Sequence, residues 1–238
     1  AYIGVGAKSD ILGFAGPEFG TFVPPVLTEG FAVLNGYFID GVSQPGNPEL
    51  TINQFKGVFV HEFGHFCNLD HSQINLDVAT DGVENSDDLN ALPTMFPIIF
   101  TLTQAVGAQT PHTDDVAWIS TLYPETVNNP PTRIPFATTT GTISGSIFEP
   151  DGTTLFQGAN VIARNEAAPL IDAVSNVSGA FYFPANPGAP PPAGLKGSYK
   201  TPGLTAGASY TVEVEQIDPD FNGGSSVGPV DPPATLSP

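Results

Sequence analysis

The stretch His61-Glu62-Phe63-Gly64-His65-Phe66-Cys67-Asn68-Leu69-Asp70-His71 carries the decisive pattern of this chain, HExxHxxNxxH. On an α-helix, residues four apart share a face, so His61 and His65 can point at one metal ion. Glu62 sits one position round the helix, within reach of a water that such an ion would hold. His71 lies too far along to share that face, and it becomes a third ligand only if the chain turns back after His65. Asn68 stands where that turn would fall, and asparagine tolerates the left-handed backbone better than any residue but glycine. The spacing predicts a helix, a left-handed stop at Asn68 and a return to the metal at His71. Three protein ligands leave a fourth position of a zinc ion for water, the catalytic pattern rather than the closed structural one. Three of the four histidines of the chain lie in these eleven residues.

Upstream, Thr51-Ile52-Asn53-Gln54 fits a capping box, with Thr51 as N-cap, and places the helix from about Ile52 to Cys67. Ile52, Phe55, Phe59 and Phe63 recur at helical steps and predict the core face, with Val58 and Phe66 near it. Cys67, the only cysteine, excludes an intrachain disulfide and reads as a small apolar packing residue rather than a ligand. Before the helix, Ile11–Ala15 predicts a buried strand ending at Gly16-Pro17. Thr21–Thr28 is Pro-rich and predicts a loop, and Phe31–Asn35 predicts a second strand. Downstream, Asn75–Asn90 is acidic (Asp77, Asp81, Glu84, Asp87, Asp88). Clustered carboxylates suit a hard cation such as Ca²⁺, although the spacing is not that of an EF-hand and a solvated loop is the alternative. Thr113 predicts a cap for a helix with Asp114 and Asp115 in its first turn, where the helix dipole favours them. Val116, Ile119, Leu122 and Tyr123 are its predicted apolar stripe, and Pro124 ends it. His112 is expected at the surface beside that cap.

Beyond Pro-rich residues 127–137, which read as a linker, the period changes to that of strands. Gly141–Phe148, Ala159–Arg164, Ala173–Ser175, Phe181–Phe183 and Tyr210–Glu215 alternate between turn signals. They predict a small all-β sandwich over residues 138–217. Residues 218–238 are a Gly/Pro-rich tail. The net charge of −18 argues against nucleic acid, whose phosphates would be repelled, and against an anionic membrane surface. No apolar run is long enough for a membrane span, and any signal peptide is expected in a missing part ahead of Ala1.

HExxHxxNxxH resembles the motif of the metzincin metallopeptidases, and Leu69-Asp70-His71-Ser72 brings it nearest to their matrixin-like branch. Those enzymes carry a methionine turn beneath the metal. The one methionine here, Met95 in Pro93-Thr94-Met95-Phe96-Pro97, is similar to it, including Pro97. Asp114–Pro124 is similar to the closing matrixin helix. The resemblance covers roughly Phe14 to Tyr123. It implies an α+β metzincin-like catalytic domain over residues 1–126, N-terminally incomplete because a strand, a helix and another strand normally come first. It implies zinc on His61, His65 and His71, Glu62 as general base, and Met95 packed under the metal. The strand at Phe31–Asn35 would be the edge where an extended substrate pairs. Two departures matter: Asn68 replaces the usual glycine, and Ile99 stands where matrixins often have tyrosine, so the cleavage preference does not carry over. The second part resembles carboxypeptidase-regulatory-like domains, prealbumin-like sandwiches.

The expectation is therefore a secreted zinc-dependent endopeptidase acting on extracellular proteins, with a protein or peptide substrate and no membrane insertion. The alternative is a non-catalytic zinc-stabilised adhesion module whose β-sandwich contacts glycan or a cell-surface protein.

Overall fold

The structure, a computed structural model, describes residues 11–22, 25–43, 45, 49–72, 74–80, 82–83, 90–97, 108–125, 135–180, 190 and 192–215. It is a mixed α/β arrangement in which every paired strand is antiparallel. The chain opens with a hairpin, β1 (Gly13–Phe22) and β2 (Pro25–Leu34). The Pro-rich stretch Thr21–Thr28, expected to be a loop, therefore lies largely in strands, and the first strand runs past Gly16-Pro17. The prolines are tolerated for a positional reason. Pro17 adjoins a register shift in the ladder, and Pro25 opens its strand, both places where the missing N–H costs no ladder bond.

Helix α1 spans Ile52–Phe66. Its N-terminus is the predicted capping box: the Gln54 N–H donates to Thr51 Oγ1 at 3.3 Å and the Thr51 N–H to Gln54 Oε1 at 2.8 Å. The predicted core face holds only at Phe55 and Val58. Ile52, Phe59 and Phe63 are exposed, and the buried residues are Gln54, Gly57, Val58 and Glu62. Phe55 is half-buried and packs with Val58 against Phe38 and Leu50. Phe59, Phe63 and Phe66 instead stack ring on ring, with centroids 6.4 and 5.6 Å apart. The inward faces of the helix are lined by small residues because the neighbours come close. A Cβ on Gly57 would meet Ala108, and one on Gly64 would collide with the Met95 sulfur.

A short helix, α2 (Leu76–Thr80), precedes α3 (Thr113–Leu122). The N-cap of α3 is His112, not Thr113, because it is the His112 N–H that the Asp115 carboxylate accepts, at 2.7 Å. His112 is half-buried there, its Nε2 3.1 Å from the Asn90 carbonyl. The predicted stripe is also corrected: Val116, Leu122 and Tyr123 are exposed, whereas Asp114, Asp115 and Ala117 are buried. The helix turns these three inward because it lies against the C-terminal sheets on one side and the Met95 turn on the other.

The C-terminal part begins with α4 (Phe136–Thr139), which grows out of the end of the predicted linker, and β3 (Thr140–Ser146). Then come β4 (Asn160–Asn165), β5 (Ala173–Val177), β6 (Ser198–Thr205) and β7 (Tyr210–Glu215). They form a three-stranded sheet, β5-β4-β7, and a two-stranded sheet, β3-β6. β6 has no counterpart among the predicted strands because Pro202-Gly203 interrupts its pattern. The structure accommodates the pair at a register shift, with Gly203 at φ +75°. The predicted strand Phe181–Phe183, the tail 218–238 and residues 127–134 of the linker lie outside the described residues. Ala117 of α3 shares a buried cluster with Ala163, Val174 and Leu204, so α3 and the C-terminal sheets have one continuous core.

Candidate metal centre

The three predicted ligands come together. The Nε2 atoms of His61 and His65 are 3.1 Å apart, those of His61 and His71 3.2 Å, and those of His65 and His71 3.0 Å. Helix α1 places the first two on one face, as the four-residue spacing requires. The chain then reverses where expected. Asn68 has φ +67°, its N–H donates to the His65 carbonyl, and the Leu69 N–H donates to the Gly64 carbonyl. This left-handed stop closes the helix and swings His71 back. Cys67 is the half-buried C-cap of the helix and takes no part in the cluster.

Backbone carbonyls orient two of the rings. His61 Nδ1 lies 2.8 Å from the Thr94 carbonyl and His65 Nδ1 2.8 Å from the Leu69 carbonyl. A carbonyl only accepts, so both Nδ1 atoms carry the proton and both Nε2 atoms present lone pairs. Two lone pairs 3.1 Å apart repel each other. A cation between them turns that repulsion into ligation, and three nitrogens at about 2.05 Å from a tetrahedral zinc would lie about 3.3 Å from one another. The residues present thus fit a zinc ion in spacing, tautomer and donor type. His71 Nδ1 differs from the other two: it is buried and has no hydrogen-bond partner among the described residues.

Burial also sets the charge states. It lowers the pKa of His61 to about 4, with the Thr94 carbonyl opposing and His65 adding to the shift. It lowers that of His71 to about 3, helped by His61 and His65. Both imidazoles are neutral at pH 7, the state a metal needs. Burial raises the Glu62 carboxyl to about 7. Glu62 is 5 % exposed and its Oε2 atom has no hydrogen-bond partner among the described residues. β1 crosses directly over it, since a Cβ on Gly13 would lie 2.8 Å from Glu62 Oε1.

Beneath the histidines, Met95 is 3 % exposed and packs against Gly64. Its turn is pinned by Asp115, which accepts from the Thr94 N–H at 2.9 Å and the Met95 N–H at 3.0 Å. Asp115 thereby holds the Thr94 carbonyl that orients His61. Pro97 follows, half-buried. Gly13, Thr94 and Asp115 are the site residues that sequence reasoning missed. The paired Asp114-Asp115 is a visible signal, but the helix dipole alone already accounts for acids at that position. Gly13 gives none, because its role depends on a strand that crosses a helix far away in sequence. Of the acidic stretch read as a possible Ca²⁺ site, Asp77 is exposed on α2, and Asp81, Glu84, Asp87 and Asp88 lie outside the described residues, as does Ile99. Among the described residues, the histidine triad is the one cluster with metal-ligand spacing.

The chain matches no family in a scan of family profiles, no curated protein and no solved structure.

Proposed function

We propose that this chain is a zinc-dependent endopeptidase of the metzincin type, matrixin-like, hydrolysing peptide bonds of extracellular proteins. The observation that carries the reading is Glu62. A buried carboxyl with an unpartnered oxygen follows directly after one of three histidines whose Nε2 atoms converge. A purely structural zinc site has no use for that carboxylate. His61, His65 and His71 would hold the ion. When bound, zinc supplies Lewis acidity, polarising the scissile carbonyl and making water acidic enough to attack near neutral pH. Glu62 takes the proton of the attacking water and delivers it to the leaving amine nitrogen as the C–N bond breaks. A dication beside Glu62 favours its ionised form, opposing the upward pull of burial and keeping the base ready. Thr94 and Leu69 fix the rings through their carbonyls, and Met95 fills the floor. Among the described residues β2 pairs only with β1, so its other edge is open for an extended peptide to add as a strand. No described helix is long and apolar enough to cross a membrane.

The test is Glu62→Gln, with zinc content and casein cleavage measured on the same preparation. Zinc retained with cleavage reduced by at least a thousandfold is the expected outcome. Unchanged cleavage would refute Glu62 as the base. A wild-type protein that binds zinc but cleaves no peptide would leave the non-catalytic module as the better reading.

A further inference from the structure

Two of the three histidines are oriented through their Nδ1 atoms, but His71 Nδ1 has no partner among the described residues. Something else must hold the third ring. The backbone around it is gripped at two points. The Ser72 N–H donates to the Met95 carbonyl at 2.9 Å. Beyond it, the chain runs into the C-terminal sheets: Ile74 is 2 % exposed and packs with Ile162 of β4 and Ala173 of β5. Asn75 is wholly buried in the left-handed conformation, φ +61°. Its amide donates to the Ala91 carbonyl at 2.7 Å and to the Leu170 carbonyl at 3.0 Å, and its Oδ1 accepts from Arg164 Nη1 of β4 at 2.6 Å. Arg164 is itself anchored by Glu213 and Glu215 of β7 and the Pro169 carbonyl.

A second grip meets the first from α3. Its Asp114 carboxylate accepts from the Ser175 N–H of β5 at 2.8 Å, and its Trp118 Nε1–H donates to the Ser175 carbonyl at 2.8 Å. The same helix carries Asp115, which pins the turn that orients His61. The C-terminal sheets therefore touch both supports of the metal centre: the His71 segment through Asn75, and the Met95 turn through α3.

We infer that the C-terminal sheets are part of the metal centre's scaffold, and that Asn75, clamped by Arg164, is a positioning residue that sets the geometry of His71. This rests on the zinc reading above. Its consequence is reciprocal: if seating the sheets favours metal binding, metal binding must tighten the seating of the sheets by the same factor.

The test uses Co²⁺ as the probe, with affinity from chelator competition and coordination from the visible ligand-field bands. Asn75→Gly keeps the left-handed backbone and removes the three side-chain bonds. It should weaken Co²⁺ binding about tenfold or more, the usual cost of losing a residue that orients a ligand, and shift the bands. Trp118→Phe removes the Nε1–H bond to the Ser175 carbonyl and keeps an aromatic, though smaller, ring. It should weaken binding a few-fold with circular dichroism unchanged, and it decides the scaffold role of the sheets if Asn75→Gly does not fold. In the wild type, Co²⁺ should slow hydrogen exchange at Val174 and Ser175 of β5, and Asn75→Gly should abolish that slowing. Folded variants with wild-type affinity and bands would overturn the inference and leave the zinc reading standing. A wild-type protein that binds neither Co²⁺ nor Zn²⁺ would overturn both.

Discussion

Asn68 shows how much one residue can settle. Its left-handed φ of +67° ends α1 and returns the chain to bring His71 beside His61 and His65. Asparagine bears that conformation at small cost, whereas a residue without a short polar side chain pays about 1–2 kcal/mol. Asn68→Ala should lower the stability of the metal-free protein by about 1 kcal/mol, read from urea unfolding, and weaken metal binding. Gly13 acts by what it lacks. A methyl group there would press on the Glu62 carboxyl. Gly13→Ala should leave zinc content intact and reduce kcat at least tenfold, because the displaced group is the proposed base and not one of the three histidines. Zinc loss in that variant would show that β1 supports the histidines instead.

At the scale of the element, α1 and α3 are legible in the sequence as helices but not as faces. The capping box of α1 and the position of its end follow from local chemistry, which acts within a few residues. Its buried side does not, because an aromatic stripe at helical spacing says only that one face is apolar. Here the two sides in contact with neighbours are occupied by glycines, Val58 and Glu62, while Phe59 and Phe63 stack outside. In α3 the two acids that the helix dipole places in the first turn are buried. Burial raises the Asp114 carboxyl to about 7, with the Ser72 hydroxyl and the Ser175 N–H pulling it back and Asp115 adding to the rise. Burial raises Asp115 too, against the three backbone N–H groups it accepts. A group whose pKa is higher folded than unfolded stabilises the fold below its unfolded pKa and loses that contribution as pH rises through the folded value. Asp114 thus disfavours the fold increasingly between about pH 4 and 7, at about 1.4 kcal/mol for each pH step of one within that interval. His61 and His71, lowered in the fold, act in the opposite sense below pH 6.5. The comparison that isolates Asp114 is therefore with Asp114→Asn. In the metal-free protein the stability of the variant relative to wild type should rise as pH goes from 4 to 8, by thermal unfolding. A flat difference would mean that Asp114 is not held protonated by its surroundings.

Across the whole molecule, the candidate metal centre sits where three regions meet: α1, the Met95 turn, and the segment from His71 into the C-terminal sheets. A cation bound by the folded state alone stabilises it by mass action, about 4 kcal/mol at a thousandfold excess over Kd. Removing it with a chelator should lower Tm by about 8–16 °C, at about 2–4 °C per kcal/mol for a chain of this length. That loss should reappear in exchange protection of β5, which a metal site confined to α1 would leave untouched. The exposed apolar surface is also a property of the whole. Phe19, Phe59 and Phe63 are each more than half exposed among the described residues.

The amino-acid sequence by itself determined the helix of the metal motif, its capping box, the left-handed stop, the identity of the three histidines and Glu62, and four of the C-terminal strands. All of these rest on the local spacing of residues and on backbone preferences that act within a turn or a strand. Only the tertiary structure decided which face of α1 is buried, that Asp115 holds the turn above Met95, that Gly13 lies over Glu62, and that Asn75 is clasped by Arg164. Those contacts join residues 20 to 89 positions apart. No local preference encodes them, because they arise when separately formed elements compete for the same buried space.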